Sequence, residues 1–582
     1  MNGEMLLKTT HATARGGLYY LCVLASCAAL GGTAHAQVVP VPSQPQIGSA
    51  NPVTAEPPVP RPHAQPCIVQ LFQNAEFANF TPNTFTYTPP AGCHGPWQKV
   101  VLTADFTVTA GIQYDRTAAF YLGKSNIYFG TTAEPGPTLS PSWHIERDVT
   151  DLSAVFATAH DDGEANIGNF VGVSGGTDYN GIIYASAALE FYPADGSGQA
   201  PRTADIVVPV EGSGGDAGTL NTGSDQVTAT LQLPRNVEGV YLDVISQSQS
   251  SDEFWYFCVP NDQTTNLESC GNTAFRETEV SIDGQPAGVA PVYPWIFTGG
   301  IDPYLWQPIP GVQTLDFRPY RVNLTPFAGL LADGNPHVLA ISVYNADSWF
   351  SVTGNVLVFT DPGARQVTGG VLSNTLSAAP APRVTENIKV DPTGTIFTGT
   401  VAVGSRRQFA ISGYVQTSHG RVTTTVAQTV DFLSTQTFDV SPSTDIQDAR
   451  QLTTVDSRVS TDEEGRESVS EQHFSYPLTV DFSFVTNADG TYTESTTADQ
   501  RDIESTSPAE GSGPPSALDN HVHAADALQF DASFNFTGNT GTKTTQTYRA
   551  IGPAAGCWNR SLVAQANVLT SVSGGECTRP GW

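Results

Sequence analysis

Charge is scarce in this 582-residue sequence, and most of it has one sign. Asp, Glu, Lys and Arg make up 14% of the chain, and 56 acidic residues against 26 basic ones leave a net charge of −30. Such a chain offers no basic face to a phosphate backbone, which excludes nucleic acid as a partner. Met occurs only 2 times, and no apolar run beyond the N-terminal region is long enough for a membrane-spanning helix. Several short signatures are also missing. There is no nucleophile elbow, no HExxH, no phosphate-binding glycine loop and no reactive-cysteine pattern. These absences remove the common serine hydrolases, zinc peptidases and nucleotide-dependent enzymes. They leave carboxylates and aromatic rings as the chemistry-bearing side chains.

What is abundant is Thr, Ser, Gly (54) and Pro (41). That composition belongs to a turn-rich, exported β protein. Residues 1–36 read as a signal peptide: Lys8 and Arg15 supply positive charge, Leu18 to Leu30 is apolar, and Ala34-His35-Ala36 is a cleavage site. The mature chain is expected to be secreted or periplasmic, monomeric and free of the membrane. Cys22 and Cys27 leave with the leader. The other six cysteines fall into local pairs, Cys67 with Cys93, Cys258 with Cys270, and Cys557 with Cys577, expected as disulfides worth about 3 kcal/mol each. Zinc ligation does not fit their spacing, so no metal and no cofactor is expected.

Residues 37–66 are Pro-rich and aperiodic, read as a linker that is disordered or extended. From Cys67 onward short alternating runs recur, including Trp97 to Val108, Thr117 to Leu122, Gly181 to Tyr192 and His337 to Tyr344, with almost no helical pattern between them. One helical turn is expected at Val149 to Phe156. The fold expected is all-β, built of sandwiches or jelly rolls, with units at 67–204, 205–365 and 366–582. In the last unit Glu463 to Glu471 and Glu494 to Gly513 are polar enough to read as loops.

Two stretches concentrate chemistry. Asp115 and Arg116 stand at the mouth of the strand Thr117 to Leu122, where a sheet can hold a carboxylate still at its edge; a plain rim ion pair is the bland alternative. Glu253 lies between a strand and Cys258, beside Trp255 and Tyr256, where apolar surroundings raise a carboxyl pKa. Trp295 and Trp306 follow in loops rich in Gly and Pro. Aromatics beside carboxylates suit sugars, with rings against their apolar faces; core packing between sheets is the competing explanation.

Five segments are long and unusual: Asp115-Arg116, Asn126-Ile-Tyr-Phe-Gly-Thr-Thr-Ala-Glu-Pro135, Trp143-His-Ile-Glu-Arg-Asp-Val-Thr150, Asp252-Glu-Phe-Trp-Tyr256 and Gly299-Gly-Ile-Asp-Pro-Tyr-Leu-Trp-Gln-Pro-Ile309. In order, they resemble the peptide-N-glycosidase A family from about Cys67 to Phe359, with a looser echo at Arg407 to Gly413. A fainter likeness runs to the peptide-N-glycosidase F enzymes. The resemblance implies two adjacent eight-stranded antiparallel jelly rolls with a site at their interface, plus a C-terminal β-rich unit. It implies an amidase that acts on N-glycosylated peptides and proteins, cutting the bond between asparagine and the first N-acetylglucosamine. By the same resemblance Asp115 is the primary catalytic carboxylate, Glu253 a second one that binds sugar and water, and Arg116 an orienting cation. A third acid is expected on the likeness; Asn169 is nearest in register, with Glu134 and Glu146 as alternatives. Glu134 could instead simply end a strand, and Glu146 could pair with Arg147. Trp255, Tyr256, Arg276, Trp295 and Trp306 complete the expected substrate contacts. Two other readings compete, a non-catalytic glycan-binding sandwich and a glycoside hydrolase with a carboxylate pair.

Overall fold

The computed structural model describes residues 44–194, 200–212, 215–553 and 556–577; the expected leader lies outside them. The chain is all-β and antiparallel. Alternating Val, Ile, Phe and Thr build a first unit of two four-stranded sheets. With the small 172–179 hairpin set aside and strands counted in chain order, the first, eighth, third and sixth strands form one sheet and the second, seventh, fourth and fifth the other. This is the strand order of a double-sheet jelly roll. Its core is aromatic: Phe106 stacks on Trp143 with centroids 5.2 Å apart, and Phe120 lies 4.9 Å from Tyr128. The second unit repeats the order, with its first strand split into Ile206–Val210 and Gly218–Leu220, both paired with Trp349–Thr360. Its hairpin turn at Asp283-Gly284 has both residues at positive φ (50° and 75°), the backbone that matches strand twist in a two-residue turn.

The third unit is a single 11-stranded antiparallel sheet. Its strands are long: Phe397–Thr417 has 21 residues and Gly420–Ser441 has 22. They alternate buried and exposed residues, so one face covers the second jelly roll while the other meets solvent. The polar stretches expected as loops are therefore mostly strand. Glu463 to Glu471 spans one tight turn between Thr444–Glu463 and Arg466–Thr486, and Glu494 lies inside Tyr492–Ser507. Around the 463–466 turn the charged residues face solvent, whereas Glu494 and Asp502 are buried; in both stretches apolar alternation is lacking, and that masked the strand signal. Arg407, in the looser C-terminal echo, donates to buried Glu277 of the second unit at 2.6 Å. The three expected disulfides are formed, with Cα separations of 6.3, 4.4 and 5.1 Å. The turn expected near Val149 is present as Thr150–Leu152 and Ser153–Phe156. Among the described residues no helix is long and apolar enough to cross a membrane.

The Pro-rich segment is not a loose linker. From residue 44 it is a strap laid across all three units. Gly48 N–H donates to Leu569 O at 2.7 Å, Val53 N–H to Pro308 O at 2.9 Å, and Ala55 N–H to Gln546 Oε1 at 2.7 Å. Ala55 is fully buried, Glu56 pairs with Arg318, and Val59 N–H donates to Glu146 Oε2 at 2.8 Å. Proline suits such a path because the strap pairs with scattered partners rather than with a ladder.

Glu146 is thus an anchor for the strap, not a companion of Asp115, and Arg61 rather than Arg147 is its ionic partner. Arg61 contacts it at 2.6 Å and His144 at 3.3 Å. Burial disfavours its charge, but hydrogen bonds from His144 and Arg61 more than offset this and hold its pKa at about 2, from 4.5. Burial likewise opposes the His144 charge, and Asp105 and Glu146 overcome it, raising the pKa from 6.5 to about 9. A depressed carboxyl pKa contributes stability above about 4.5 that is lost as pH falls through 2, and a raised histidine pKa contributes stability below about 6.5 that is lost as pH rises through 9. The strap is therefore expected to resist proteolysis best between those inner limits. Limited digestion across pH checks this, and Glu146→Gln should flatten the acid side of the profile.

Candidate active site

The strand Thr117–Leu122 is buried along all but its first residue and lies between two neighbours in its sheet. The residues just before it are held at the sheet's end. Arg116 and Thr132 are joined twice, by a backbone bond from Thr132 N–H to Arg116 O at 2.8 Å and by Arg116 N–H donating to the Thr132 side-chain Oγ1 at 3.0 Å. Asp115 N–H donates to Glu134 Oε2 at 3.1 Å. Asp115 Oδ2 accepts from Gly299 N–H at 2.7 Å. Gly299 belongs to the second jelly roll, so Asp115 sits where the two meet. Thr298 Oγ1 donates to Thr132 O at 2.6 Å and Thr131 N–H to Thr314 O at 2.9 Å, docking the 298–314 segment along this edge. A Cβ on Gly299 would clash with Glu134 Oε2 and stand 3.2 Å from Asp115 Cγ. Glycine lets the backbone run this close to both carboxyl groups, where a side chain would have to push the Glu134 carboxylate aside. Burial raises the Asp115 pKa against the opposing pull of the Gly299 N–H and the Arg116 charge. A carboxyl tuned upward in a site of this kind can exchange a proton under milder conditions than a free one.

Arg116 is committed to structure around it. Its Nε and a terminal nitrogen donate to Asn169 Oδ1 at 3.1 and 2.8 Å, and its other terminal nitrogen reaches Asp115 O at 3.1 Å and Tyr114 O. Asn169 is fully buried and donates its own amide to Phe77 O at 2.8 Å and Gly181 O at 2.9 Å. Asn169 is therefore the seat of Arg116 rather than a stand-in for a third acid. A carboxylate there could not donate to those two carbonyls.

Glu253 follows the short 3-10 turn Ser250–Asp252 at the end of the strand Val237–Gln249, and its N–H closes onto Ser250 O at 3.1 Å. It keeps partial exposure. Its charge acts on Tyr256, whose pKa is raised first by burial and then by Glu253. The turn is fixed by the residue before it. Asp252, 1% exposed, accepts from the Arg276 guanidinium at 2.8 and 3.1 Å and from three successive backbone N–H groups at Asp347, Ser348 and Trp349. Arg276 is thereby the partner of Asp252 and not a substrate contact. Trp255 and Tyr256 are fully buried, and Trp295 and Trp306 are 3% exposed. Trp255 packs near Phe432, Trp295 against Phe317, and the Trp306 indole donates to Gly300 O at 2.9 Å. Packing accounts for all four rings, because none presents a face on which a sugar could lie.

The contacts thus join Asp115, Glu134, Gly299 and the Arg116–Asn169 pair into one constellation; the Glu253 turn belongs to the second jelly roll and is fixed there by Asp252 and Arg276. Two contributors were not singled out from sequence. Gly299 had a signal, the Gly-Gly pair in its motif, and Asp252 had one in standing beside Glu253. A groove of about 460 Å³ lies elsewhere, on the C-terminal sheet, and is lined by Asp456, Arg458, Glu471 and His473 among others. It shares no residue with this site.

Comparison with known proteins agrees with the motifs. Peptide-N4-(N-acetyl-beta-glucosaminyl)asparagine amidase A of Prunus dulcis is 28% identical over 389 residues, covering 63% of this chain and 66% of that protein. The chain therefore spans just under two thirds of that relative. Among solved structures, PNGF-II overlaps 51% of this chain and 65% of its own at a TM-score of 0.34 and 12% identity. PNGase F of Flavobacterium meningosepticum overlaps 51% and 96% at 0.33 and 14%. Superpositions this loose say nothing about residue roles. The family model described as peptide N-acetyl-beta-D-glucosaminyl asparaginase amidase A matches residues 56–377, more than half of the chain, and the chain belongs to that family.

Proposed function

We propose that this protein is an exported amidase that hydrolyses the bond between asparagine and the proximal N-acetylglucosamine of N-glycosylated peptides and proteins. The observation that carries this reading is Asp115. It is a desolvated carboxyl at the junction of two jelly rolls, hydrogen-bonded by Gly299 N–H and flanked by Glu134. Water adds to the asparagine side-chain carbonyl and loses a proton to a carboxylate. The C–N bond then breaks as the leaving nitrogen gains a proton, giving aspartate and a glycosylamine that hydrolyses to sugar and ammonia. In this reading Asp115 moves the proton, and Glu253 binds sugar and water. Glu134 is the third acid, since it is the alternative that touches Asp115. Arg116, immobilised by Asn169, supplies fixed positive charge.

The test is mass spectrometry of a treated glycopeptide. Asn converted to Asp with the glycan released whole supports the amidase. N-acetylglucosamine left on Asn would mean a glycoside hydrolase, and an unchanged glycopeptide a binder. Glu134→Gln is expected to slow release by about 10²-fold at unchanged thermal midpoint, whereas Glu146→Gln should leave release intact. Carboxylates suffice for these proton transfers and an arginine for the fixed charge, so release is also expected to survive EDTA; loss of activity on chelation, restored by added metal, would count against the scheme.

A further inference from the structure

All but the first strand of the C-terminal sheet, Thr368–Asn374, lies beyond the family match, yet the sheet's buried face is rich in glutamine. Gln500 on Tyr492–Ser507 is fully buried. Its Nε2 donates to Pro294 O at 2.7 Å, and its Oε1 accepts from Val312 N–H at 2.7 Å. One amide thus ties together the two ends of the loop that carries Gly299. Within the loop, Thr314 Oγ1 donates to Ile296 O at 2.8 Å and Thr544 Oγ1 to Leu305 O at 2.7 Å. The next turn after Glu253, Trp255–Phe257, is held in the same way. Gln436 donates to Cys258 O at 3.0 Å and Gln447 to Phe257 O at 2.9 Å, and Gln447 also bonds Gln436 Oε1 at 2.7 Å.

Burying an amide is costly unless it is hydrogen-bonded, so a face that served packing alone would favour aliphatic side chains. The same face supplies a contrast. Gln451 is 4% exposed and lies in register with Gln500 across Leu478, but neither of its amide atoms has a hydrogen-bond partner. Burial and residue type match, and only the tether differs.

We propose that Gln500 is a positioning residue for the reaction. By closing the 294–312 loop it sets the aim of Gly299 N–H at Asp115, and Gln436 with Gln447 holds the Trp255–Phe257 turn, next after Glu253, from the same sheet. This rests on the amidase reading of the site. The C-terminal sheet is on this account a working part of the active site, although none of its residues reaches the reacting atoms.

The experiment compares Gln500→Met, Gln500→Glu and Gln451→Met in the full chain. Glycopeptide release is followed across pH, together with thermal midpoint and hydrogen exchange of peptides from 295–312. Gln500→Met is expected to lower kcat by about 10- to 100-fold, the scale of a small misplacement, with KM little changed. It should also move the limb governed by Asp115 to higher pH, because a weaker N–H bond to the carboxylate raises that pKa. Gln500→Glu, kept protonated by burial in acid, can still donate and accept; it should behave as the parent there and fall toward Gln500→Met as it ionises. Gln451→Met should alter neither kcat nor the limb. Unchanged kcat and limb in Gln500→Met, or an equal loss in Gln451→Met, overturns the proposal. If the parent releases no glycan, the amidase reading falls. Exchange then still decides the tether: faster exchange of 295–312 in Gln500→Met alone supports it, and unchanged exchange sinks it.

Discussion

Asp115→Asn is expected to abolish glycan release while the protein melts at or above the parent midpoint. The substitution keeps shape, and the asparagine carbonyl can still accept from Gly299 N–H. What it removes is a group that exchanges a proton, and losses of 10²- to 10⁴-fold are ordinary for that change. Stability should not suffer, for a reason with a definite sign. Burial raises the Asp115 pKa, so the fold favours the neutral acid, and the ionised form costs stability once pH rises through the folded pKa. A permanently neutral amide avoids that cost at neutral pH. Steady-state release from a glycopeptide and a thermal melt read both halves. Persistent release at the parental rate would remove Asp115 from the mechanism.

Asp252→Ala should produce the largest loss of stability among single changes near the site, about 3–5 kcal/mol. The reason is the asymmetry of buried pairs. Arg276 and Asp252 have side-chain exposures of 0% and 1%, and removing the carboxylate strands a guanidinium away from water. Three backbone N–H groups at 347–349 lose their acceptor as well. Arg276→Met alone should also destabilise, by stranding the carboxylate. The Asp252→Leu, Arg276→Met double replacement should recover much of the midpoint, because no charge is then left buried. Additive losses in the double variant would contradict this account. Glu253 is the next residue, so release should fall in Asp252→Ala even below its melting range.

Much of the fold was legible because it rests on local pattern. Runs rich in β-branched and aromatic residues from Trp97 to Val108 and Thr117 to Leu122 mark strands, although Thr117–Leu122 is buried on both faces rather than on one, and cysteines 12, 20 and 26 residues apart close loops of ordinary length. Asp115, too, is marked by its place at a strand mouth. The partners of Asp115 were harder to see, because Gly299 reaches it across 184 residues and no local pattern records that approach. The tryptophans misled for a related reason. In loops rich in Gly and Pro they read as exposed platforms, but those loops are pressed between the second jelly roll and the C-terminal sheet, where large rings fill the gap. The strap was misread because its hydrogen bonds go to side chains and backbone hundreds of residues away, which leaves no period behind.

That strap also bears on the order of assembly. Its residue 48 bonds to residue 569 and its residue 55 to residues 546 and 558, so the front of the strap cannot be fully seated until nearly all of the chain has been made, although Glu56 and Arg61 can already dock on Arg318 and Glu146. The two jelly rolls can mature as they emerge and take up residues 56–61, whereas the ribbon's front, at residues 48 and 55, must wait, unlatched, for the last strands. Synthesis halted before residue 546 would leave both rolls folded and the latch open, since its partners at 546, 558 and 569 would be missing.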